Sequence, residues 1–462
     1  MKVVLINICL RADVEKILFP VGLGYVASAV HRAGYALEII DMDAQRQSFE
    51  EVEEKLRQKE FDVVGFGCIV TGYGIVKRLA EIVKRVRPEA WVVAGNSVAT
   101  SIPEILLAKT QVDIASIGES DLTVVDLFAC LEKGGDLKNV AGIAFKEKDG
   151  TVRLTPPRMA IANIDEVPLP EWELFEMQTY VDMSKKYISE PYPMPYEEIR
   201  AFAVNTARGC AFNCTFCYHV FKDCGYRTRS AANIIEEIRL LQERYAVNYI
   251  NFWDELTFFS KRQANALMDA ILSSGLKFHW TASCRGNLFT RDDLELLTKM
   301  KQAGCVGLGY SLESANKGIL QSMNKKLDPA DFAEQKKALD AAGIITWTSL
   351  VVGYPEETEA TLKETFDFCY DNDIYPSAGY LLPQPKTPIY RHARERGLIP
   401  DEETYLLDMG DRQDLRINLT SIPQERLEQL VSSHLARIRD KLQLNISDAQ
   451  LLKSGKYRAR AK

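Results

Sequence analysis

Residues 205–218 read Asn-Thr-Ala-Arg-Gly-Cys-Ala-Phe-Asn-Cys-Thr-Phe-Cys-Tyr, and this stretch decides the fold. It follows a short apolar run typical of a buried strand, so we place it in the loop at the carboxyl end of that strand. Its cysteines, Cys210, Cys214 and Cys217, are close enough in sequence for three thiolates to wrap one face of a metal cluster. Soft thiolate ligands favour either an iron–sulfur cluster or zinc.

The number of clustered cysteines bears on that choice. A structural zinc site closes all four coordination positions with protein ligands, so zinc would need Cys224 or His219 as its fourth ligand, which the sequence permits. Three thiolates on a 4Fe-4S cluster leave one iron open, as a substrate-like ligand requires. We therefore favour the iron–sulfur cluster.

Strand and helix patterns alternate around this loop, over residues 196–395. Six apolar strands are predicted at 202–205, 249–253, 280–283, 306–311, 345–352 and 377–382, with helices at 230–245, 261–273, 291–303 and 329–341. Six such units suit a partial (β/α)6 barrel of parallel strands, because a complete eight-unit barrel usually needs about 250 residues. Residues 396–462 predict a small, mainly helical C-terminal segment with an amphipathic helix at about 423–442.

The first 150 residues show the same alternation. Buried strands are predicted at 3–6, 37–40, 63–66, 92–94 and 114–117, with helices at 24–33, 49–58, 75–86 and 102–109. Continuously apolar strands separated by amphipathic helices indicate a parallel sheet covered on both faces. The α/β fold class is therefore an N-terminal doubly wound, Rossmann-like domain followed by the partial barrel and the helical segment.

Glycine-containing turns follow three strands of the first domain. A ligand of a doubly wound domain lies beyond the carboxyl ends of its strands, where glycine lets backbone approach it closely. The same turns are equally consistent with simple tight-turn chemistry. No Gly-x-Gly-x-x-Gly fingerprint follows the first strand, which argues against a nicotinamide dinucleotide. The candidate residues in these turns are Gly67, Thr71, Gly95, Asn96, Gly118 and Glu119.

A hairpin pattern at 143–146 and 152–154 closes this half of the chain. We place the domain boundary after residue 150 and a linker over residues 151–195, in which the proline-rich stretches 155–158 and 167–172 predict an extended connector. The net charge of −7 gives no indication of nucleic-acid binding, and no apolar run is long enough to span a membrane. The scattered cysteines and the absence of a signal peptide predict a cytoplasmic protein without disulfides. The basic C-terminal tail predicts solvated chain.

With these residues in view, the chain resembles the radical S-adenosylmethionine superfamily, whose Cys-x-x-x-Cys-x-x-Cys motif the three cysteines match. The resemblance spans about residues 195–395. It implies that Cys210, Cys214 and Cys217 hold a redox-active 4Fe-4S cluster whose open iron binds S-adenosylmethionine. It also implies contacts with S-adenosylmethionine: with adenine at Phe216 and Gly353, with the methionine ammonium at Asp254 and Glu255, and with the methionine carboxylate at Arg285. Glu313 and Ser314 match positions that contact ribose and methionine, and Ser311 is a further expected contact.

Each of these positions alone has an ordinary explanation. Asp254 and Glu255 could be an acidic pair at a helix start, and Arg285 a surface charge. All of them, however, stand at or near the ends of successive predicted strands, where the active sites of barrels lie. That shared location favours a single binding site.

The segment Pro20-Val-Gly22-Leu23-Gly-Tyr25 resembles the opening of the cobalamin-binding domain that precedes the barrel in one large branch of this superfamily. The combined resemblance covers about residues 1–395. The branch's Asp-x-His-x-x-Gly signature is absent, so cobalamin is expected to bind without a histidine lower ligand. The resemblance implies contacts with cobalamin at Pro20, Gly22, Leu23, Gly67, Thr71, Gly95, Asn96, Gly118 and Glu119.

The function that this resemblance implies is a cobalamin-dependent radical C-methyltransferase. Such an enzyme methylates an unactivated carbon through a 5′-deoxyadenosyl radical and methylcobalamin. Ring-forming or oxidising chemistry without methyl transfer is the main alternative, and a non-catalytic cobalamin-binding sensor is another class. The expected partners are an electron donor such as flavodoxin or ferredoxin and a substrate that is a peptide or protein side chain, a lipid, a tetrapyrrole or a natural-product intermediate.

Overall fold

A seven-stranded sheet forms the first half of the computed structural model, which describes residues 1–410 and 414–453. Its strands are β1 (Lys2–Asn7), β2 (Ala36–Asp41), β3 (Val63–Gly67), β4 (Trp91–Gly95), β5 (Ile114–Ser116), β6 (Ile143–Lys146) and β7 (Val152–Leu154). The order is β2-β1-β3-β4-β5-β6-β7, and β1–β5 are parallel. The direction of winding reverses between β1 and β3, which marks the ligand-binding crevice of a doubly wound sheet.

Helices connect the parallel strands as predicted. They are α1 (Val21–Arg32), α2 (Phe49–Arg57), α3 (Tyr73–Val86), α4 (Asn96–Ser101), α5 (Pro103–Lys109) and α6 (Thr123–Glu132). Helix α4 is an addition to the prediction, which took its first residues for a turn. The antiparallel hairpin of β6 and β7 extends the sheet past residue 150, beyond the boundary placed from the sequence.

The linker contains a helix, α7 (Met177–Ser184), which lies beyond the proline-rich stretches predicted to be extended. Met177, Tyr180, Val181 and Ser184 are buried and recur at helical spacing, so burial of this face stabilises the helix. The Tyr180 hydroxyl donates a hydrogen bond to Asp41 and accepts one of 3.0 Å from the Asn7 side chain. These bonds attach the linker to the carboxyl ends of β1 and β2.

The second half is an open barrel of six parallel strands, as predicted. Its strands are β8 (Ala201–Val204), β11 (Tyr249–Phe252), β12 (His279–Ser283), β13 (Cys305–Gly309), β14 (Ile345–Trp347) with its continuation β15 (Ser349–Val352), and β16 (Ser377–Tyr380). Hydrogen bonds join β8-β11-β12-β13-β14 and, beside them, β15-β16. A short antiparallel ribbon of β9 (Ala207–Arg208) and β10 (Arg227–Thr228) flanks the cysteine-rich loop.

Helices cover the outside of the barrel and form the C-terminal segment. The barrel helices are α8 (Ala231–Tyr245), α9 (Lys261–Ser274), α10 (Leu294–Gln302), α11 (Lys317–Ser322), α12 (Pro329–Ala341) and α13 (Glu359–Asp371). They are followed by α14 (Pro388–Glu395), α15 (Glu402–Asp408) and α16 (Gln424–Lys441), the last of which matches the predicted amphipathic helix. The basic tail predicted to be solvated, residues 454–462, lies outside the described residues.

One hydrophobic core joins the two halves. Phe19 of the first half packs its ring against Phe175 of the linker and Phe202 of β8, with ring centroids 5.0 and 5.1 Å apart. All three rings are buried in the same cluster of apolar side chains. This shared core holds the first sheet against the barrel, so that a space between them can serve as a binding site.

Candidate active site

A cavity of about 670 Å³ lies between the first sheet and the barrel. The first half contributes the carboxyl ends of its central strands and the start of α1, and the barrel contributes the end of β11 and the segments beside the cysteine-rich loop. This volume is typical of a small-molecule or cofactor pocket. The cavity brings together all nine residues predicted to contact cobalamin: Pro20, Gly22, Leu23, Gly67, Thr71, Gly95, Asn96, Gly118 and Glu119.

The wall from the first half suits a large flat ligand. Gly67 and Gly95 end β3 and β4, and Gly118 adopts a φ of +76°, a conformation that favours glycine. These positions present backbone in place of side chains. The Thr71 hydroxyl is buried here without a hydrogen-bond partner among the described residues, and a bound ligand would satisfy it. The residues present therefore fit cobalamin.

Four charged side chains close the cavity where the two halves meet. We call Glu119, Asp121, Arg208 and Arg227 the interdomain ion cluster. Arg208 binds Asp121 at 2.9 Å and Glu119 at 3.2 Å, and Arg227 lies 2.8 Å from the same Glu119 oxygen. All four side chains are largely buried, so these pairs are poorly screened by solvent. The cluster links the turn after β5 to the ribbon that flanks the cysteine-rich loop.

Within this cluster, the pKa values of Glu119 and Arg208 are shifted toward the charged forms. Burial alone would raise the pKa of Glu119, but hydrogen bonds from Arg227 and the Ile161 amide and the charge of Arg208 lower it overall. Burial likewise opposes the charge of Arg208, and its bonds to Asp121 and the charge of Glu119 outweigh that effect and raise its pKa. Glu119, predicted as a cofactor contact, thus lines the cavity while its carboxylate holds the two halves together.

The cluster loop, residues 209–217, is held on both sides. Gly209 has a φ of +88°, and a Cβ added there would lie 2.7 Å from the Gly225 carbonyl oxygen, so only glycine fits. Further along, the Thr215 amide donates to the Met323 carbonyl at 3.0 Å, and the Asn324 side chain donates to the Asn213 carbonyl at 2.9 Å. The loop is therefore anchored to the turn that follows α11.

The three cysteines of this loop differ in exposure, from buried Cys214 to exposed Cys217. Burial raises the pKa of the Cys210 thiol, and the neighbouring Cys214 adds to the rise; a coordinated metal would hold the Cys210 thiol deprotonated. Within residues 1–410 and 414–453, no three His, Cys, Asp or Glu side chains converge closely enough to hold a single metal ion. A cubane takes one thiolate on each iron, so its ligands stand further apart than those of one ion. Three thiols on one anchored loop fit such a cluster.

Three neighbouring residues follow β11, namely Trp253, Asp254 and Glu255, and their side chains make different contacts. The Asp254 carboxylate accepts hydrogen bonds from the Thr206 amide at 2.8 Å and the Thr206 hydroxyl at 2.7 Å, and it also accepts from Ala207. Asp254 therefore holds in place residues 206 and 207, which lead into the cluster loop. Its predicted contact with the methionine ammonium stays a prediction. Trp253 and Glu255 line the cavity, and Trp253 is 53% exposed there.

Arg285 and Glu313 both lie beside the turn after α11. Arg285 donates to the Lys325 and Lys326 carbonyls, the latter at 3.1 Å, and its guanidinium carbon lies 3.9 Å from the centre of the Phe212 ring in the cluster loop. Glu313 pairs with Lys325 at 2.7 Å, and both side chains are buried. The structure thus brings Arg285 against the cluster loop and supplies a cation, Lys325, beside Glu313.

Of the other predicted residues, Ser311 and Gly353 follow the barrel strands β13 and β15, and Phe216 lies in the cluster loop. Ser311 accepts a hydrogen bond of 2.8 Å from the Ser349 hydroxyl across β13 and β15. The Gly353 amide donates to the buried Glu357 carboxylate at 2.6 Å. Phe216 packs against the apolar cluster that contains Tyr354 and Ile389. The proposed contacts of these three residues with S-adenosylmethionine stay predictions.

Sequence reasoning missed three residues of this site. Arg208 lies two residues before the first cysteine. The acidic turn at 118–121 is the sequence feature from which a basic partner such as Arg208 could have been predicted. Lys325 follows α11, and Trp253 ends β11 one residue before the acidic pair. Their roles depend on contacts across the fold, so the sequence around each does not reveal them.

The fold and the site together define a class of enzyme. Residues 8–128 match the B12 binding domain and residues 204–369 match the Radical SAM superfamily. The chain belongs to the cobalamin-binding radical S-adenosylmethionine enzymes. Its cofactors are a 4Fe-4S cluster, S-adenosylmethionine and cobalamin, which confirms the predictions of fold, family and cofactors.

Particular relatives show how far the likeness extends. An uncharacterized methyltransferase of Pyrococcus horikoshii is 30% identical over 383 residues, which cover 82% of this chain and 79% of the relative. An anaerobic magnesium-protoporphyrin IX monomethyl ester cyclase of Rubrivivax gelatinosus is 26% identical over 395 residues, covering 84% and 68%. The radical S-adenosylmethionine methyltransferase TsrM of Kitasatospora setae, solved with cobalamin and a [4Fe-4S] cluster, is 19% identical with a TM-score of 0.67, covering 86% of this chain and 75% of that one.

None of the helices within 1–410 and 414–453 is long and apolar enough to cross a membrane. An enzyme of the radical S-adenosylmethionine class also needs a reductant.

Proposed function

We propose that the protein is a cobalamin-dependent radical C-methyltransferase, which transfers a methyl group to an unactivated carbon of its substrate. The observation that carries this proposal is the interdomain cavity. On one side it has the residues expected to contact cobalamin, and on the other it has Trp253 and Glu255 at the mouth of the barrel. A methyl donor and a radical source bound on these two sides share one space. The methyltransferase among the relatives supports this function.

The cysteines of the cluster loop are proposed to hold the 4Fe-4S cluster through Cys210, Cys214 and Cys217. When bound, the cofactors supply a 5′-deoxyadenosyl radical and a transferable methyl group, which are chemistry that amino-acid side chains lack. The chain itself orients the reactants and excludes water. S-adenosylmethionine contacts are proposed at Phe216, Asp254, Glu255, Arg285, Ser311, Glu313 and Gly353.

Cobalamin is proposed to bind against the strand ends of the first sheet without a histidine lower ligand. Among the described residues that line the cavity, the one histidine is His219, and it belongs to the segment that follows the cluster loop. The wall formed by the first half instead offers backbone, apolar side chains and polar ones such as Thr71, Asn96 and Ser97, and none of its described lining residues is a histidine. This arrangement supports a cobalt face shielded by apolar side chains or a water.

The working compartment is proposed to be the cytoplasm. No disulfide joins any two cysteines within residues 1–410 and 414–453, which suits a reducing compartment. The same compartment supplies the low-potential electron donors, such as flavodoxin or ferredoxin, that a reducible iron–sulfur cluster requires. The substrate is proposed to be one of four classes: a peptide or protein side chain, a lipid, a tetrapyrrole or a natural-product intermediate.

A second candidate function is oxidative ring formation without methyl transfer. The cyclase relative, 26% identical over 395 residues, favours it. Both functions begin with reductive cleavage of S-adenosylmethionine, so they differ in the fate of the substrate radical. Methyl transfer consumes a second S-adenosylmethionine and releases S-adenosylhomocysteine, whereas ring formation does not.

The experiment uses the full chain, reconstituted anaerobically with iron, sulfide and hydroxocobalamin, then incubated with S-adenosylmethionine and dithionite. We expect 5′-deoxyadenosine from the wild type and its loss in Cys214→Ala. Cys130→Ala is the matched control, because Cys130 lies on α6 of the first half, and it should retain the product. Persistent 5′-deoxyadenosine in Cys214→Ala would contradict the radical assignment.

The same incubation separates the two functions when representatives of the substrate classes are added. A methyltransferase forms S-adenosylhomocysteine and 5′-deoxyadenosine in comparable amounts, and the product gains the label of S-adenosylmethionine deuterated at its methyl group. Consumption of a substrate without S-adenosylhomocysteine or label would exclude methylation and favour the cyclase.

A further inference from the structure

Helix α14 lies directly against the cluster loop. The Ile389 amide at its start donates a hydrogen bond of 3.3 Å to the carbonyl of Thr215, which stands between the second and third cysteines. Ile389, Tyr390 and Ala393 are buried, and Phe216 of the cluster loop packs against the apolar cluster to which they belong. The start of this helix therefore contacts the loop that carries the three cysteines.

The outer surface of this helix is strongly basic. Residues 386–397 contain four cations, Lys386, Arg391, Arg394 and Arg396, and one carboxylate, Glu395, for a local charge of +3 in a chain of net charge −7. Arg391 is exposed and forms no ion pair with any described residue. Arg394 pairs with Glu402 at 2.9 Å but remains 48% exposed. Local charge of this sign attracts acidic partners.

The basic surface is also concave. A depression of about 560 Å³ is lined by both ends of α14 and by the turn that follows it, including Lys386, Arg391, Arg394 and Gly397. Lys386 anchors one rim, because its ammonium donates to the Thr100 carbonyl of α4 at 2.6 Å. The surface therefore has a defined shape, held by both halves of the molecule.

We propose that this surface, residues 386–397, is the docking site of an acidic one-electron donor protein of the flavodoxin or ferredoxin type. The inference rests on the proposed function, since reductive cleavage of S-adenosylmethionine consumes one electron that this chain does not supply. The donor is oxidised by one electron, and the cluster beyond α14 is reduced from its 2+ to its 1+ state. Charge complementarity selects the donor, and the contact between α14 and Thr215 places it beside the cluster.

The test compares two reductants on the same reconstituted protein. Reduced flavodoxin must dock, whereas dithionite is a small molecule that need not. The rate at which the EPR signal of the reduced cluster appears is measured by rapid freeze-quench with each reductant, and the ratio of the two rates is the readout. For Arg391→Glu we expect the ratio to fall about tenfold at low ionic strength, and added salt should slow the flavodoxin reaction of the wild type.

The matched control is Arg262→Glu, an exposed arginine on α9 whose change alters the net charge equally. It should leave the ratio at the wild-type value. An unchanged ratio in Arg391→Glu would overturn the proposal, whatever the absolute rates. If the ratio is unchanged in Arg391→Glu and pyrophosphate raises the Tm of the wild type, the depression is instead a binding site for a small anion. Cluster reduction is measured without substrate, so these outcomes are independent of whether methyl transfer occurs.

Discussion

Replacing Glu119 by glutamine removes one carboxylate from the interdomain ion cluster and leaves the size of the side chain unchanged. The Glu119 side chain is 5% exposed, and Arg227 beside it is 11% exposed. Loss of one partner from a buried ion pair typically costs about 3–5 kcal/mol, because the remaining charge stays buried without compensation. Asp121 still pairs with Arg208, so we expect the lower end of this range, about 3 kcal/mol.

The assay is thermal unfolding of the full chain at neutral pH. The entropy of unfolding is about 2.1 cal/mol/K per residue, hence about 1 kcal/mol/K for 462 residues. A loss of about 3 kcal/mol then lowers the Tm by about 3 °C when the chain unfolds as one unit, and by more when the first half unfolds alone. Glu38→Gln is the matched control, since Glu38 pairs with Lys59 at the surface and should change the Tm by less than about 1 °C.

Two results would refute this reasoning. One is a fall in Tm for Glu119→Gln that is no larger than the fall for Glu38→Gln. The other comes from Arg227→Gln and the double variant: if the two single losses simply add, Glu119 and Arg227 are not energetically coupled. Coupling predicts that the double variant loses less than the sum, because each single variant leaves a buried charge unpaired.

Further predictions concern the cluster loop and the fifth barrel strand. Gly209→Ala should sharply lower the iron bound after reconstitution, since its Cβ would meet the Gly225 carbonyl oxygen at 2.7 Å; wild-type iron content would contradict the anchoring of the loop. Cys224→Ser should bind as much iron as the wild type, whereas a loss would make Cys224 a metal ligand. Burial raises the pKa of Glu357 from 4.5 to about 7, despite the opposing hydrogen bond from Gly353. The folded chain therefore keeps this proton up to about pH 7, whereas the unfolded chain loses it near pH 4.5. The stabilisation is complete below pH 4.5, and about 3 kcal/mol is lost as the pH rises through 7. Glu357→Gln should show a smaller fall in Tm between pH 5 and pH 8 than the wild type. Parallel curves of Tm against pH for the two proteins would exclude a contribution of the Glu357 proton to stability.

The sequence by itself predicted the elements whose signals are local. Periodic burial identified the strands of both halves, because parallel strands covered on both faces are continuously apolar. The spacing of Cys210, Cys214 and Cys217 indicated the cluster loop, because its ligands are close in sequence. The glycines at the ends of β3 and β4 indicated one wall of the cavity, since all parallel strands end at the same edge.

The tertiary structure decided how those elements meet. The ion pair of Glu119 with Arg208 joins residues far apart in sequence, so the sequence around each showed a turn or a strand end but not the contact. From the sequence, Asp254 was either a contact with S-adenosylmethionine or part of an acidic pair at a helix start, and folding placed the Thr206 amide and hydroxyl against its carboxylate. Burial of one face made residues 177–184 of the linker helical. Such roles depend on which surfaces pack together, and packing is a property of the whole chain, whereas spacing and periodicity can be read from a short segment.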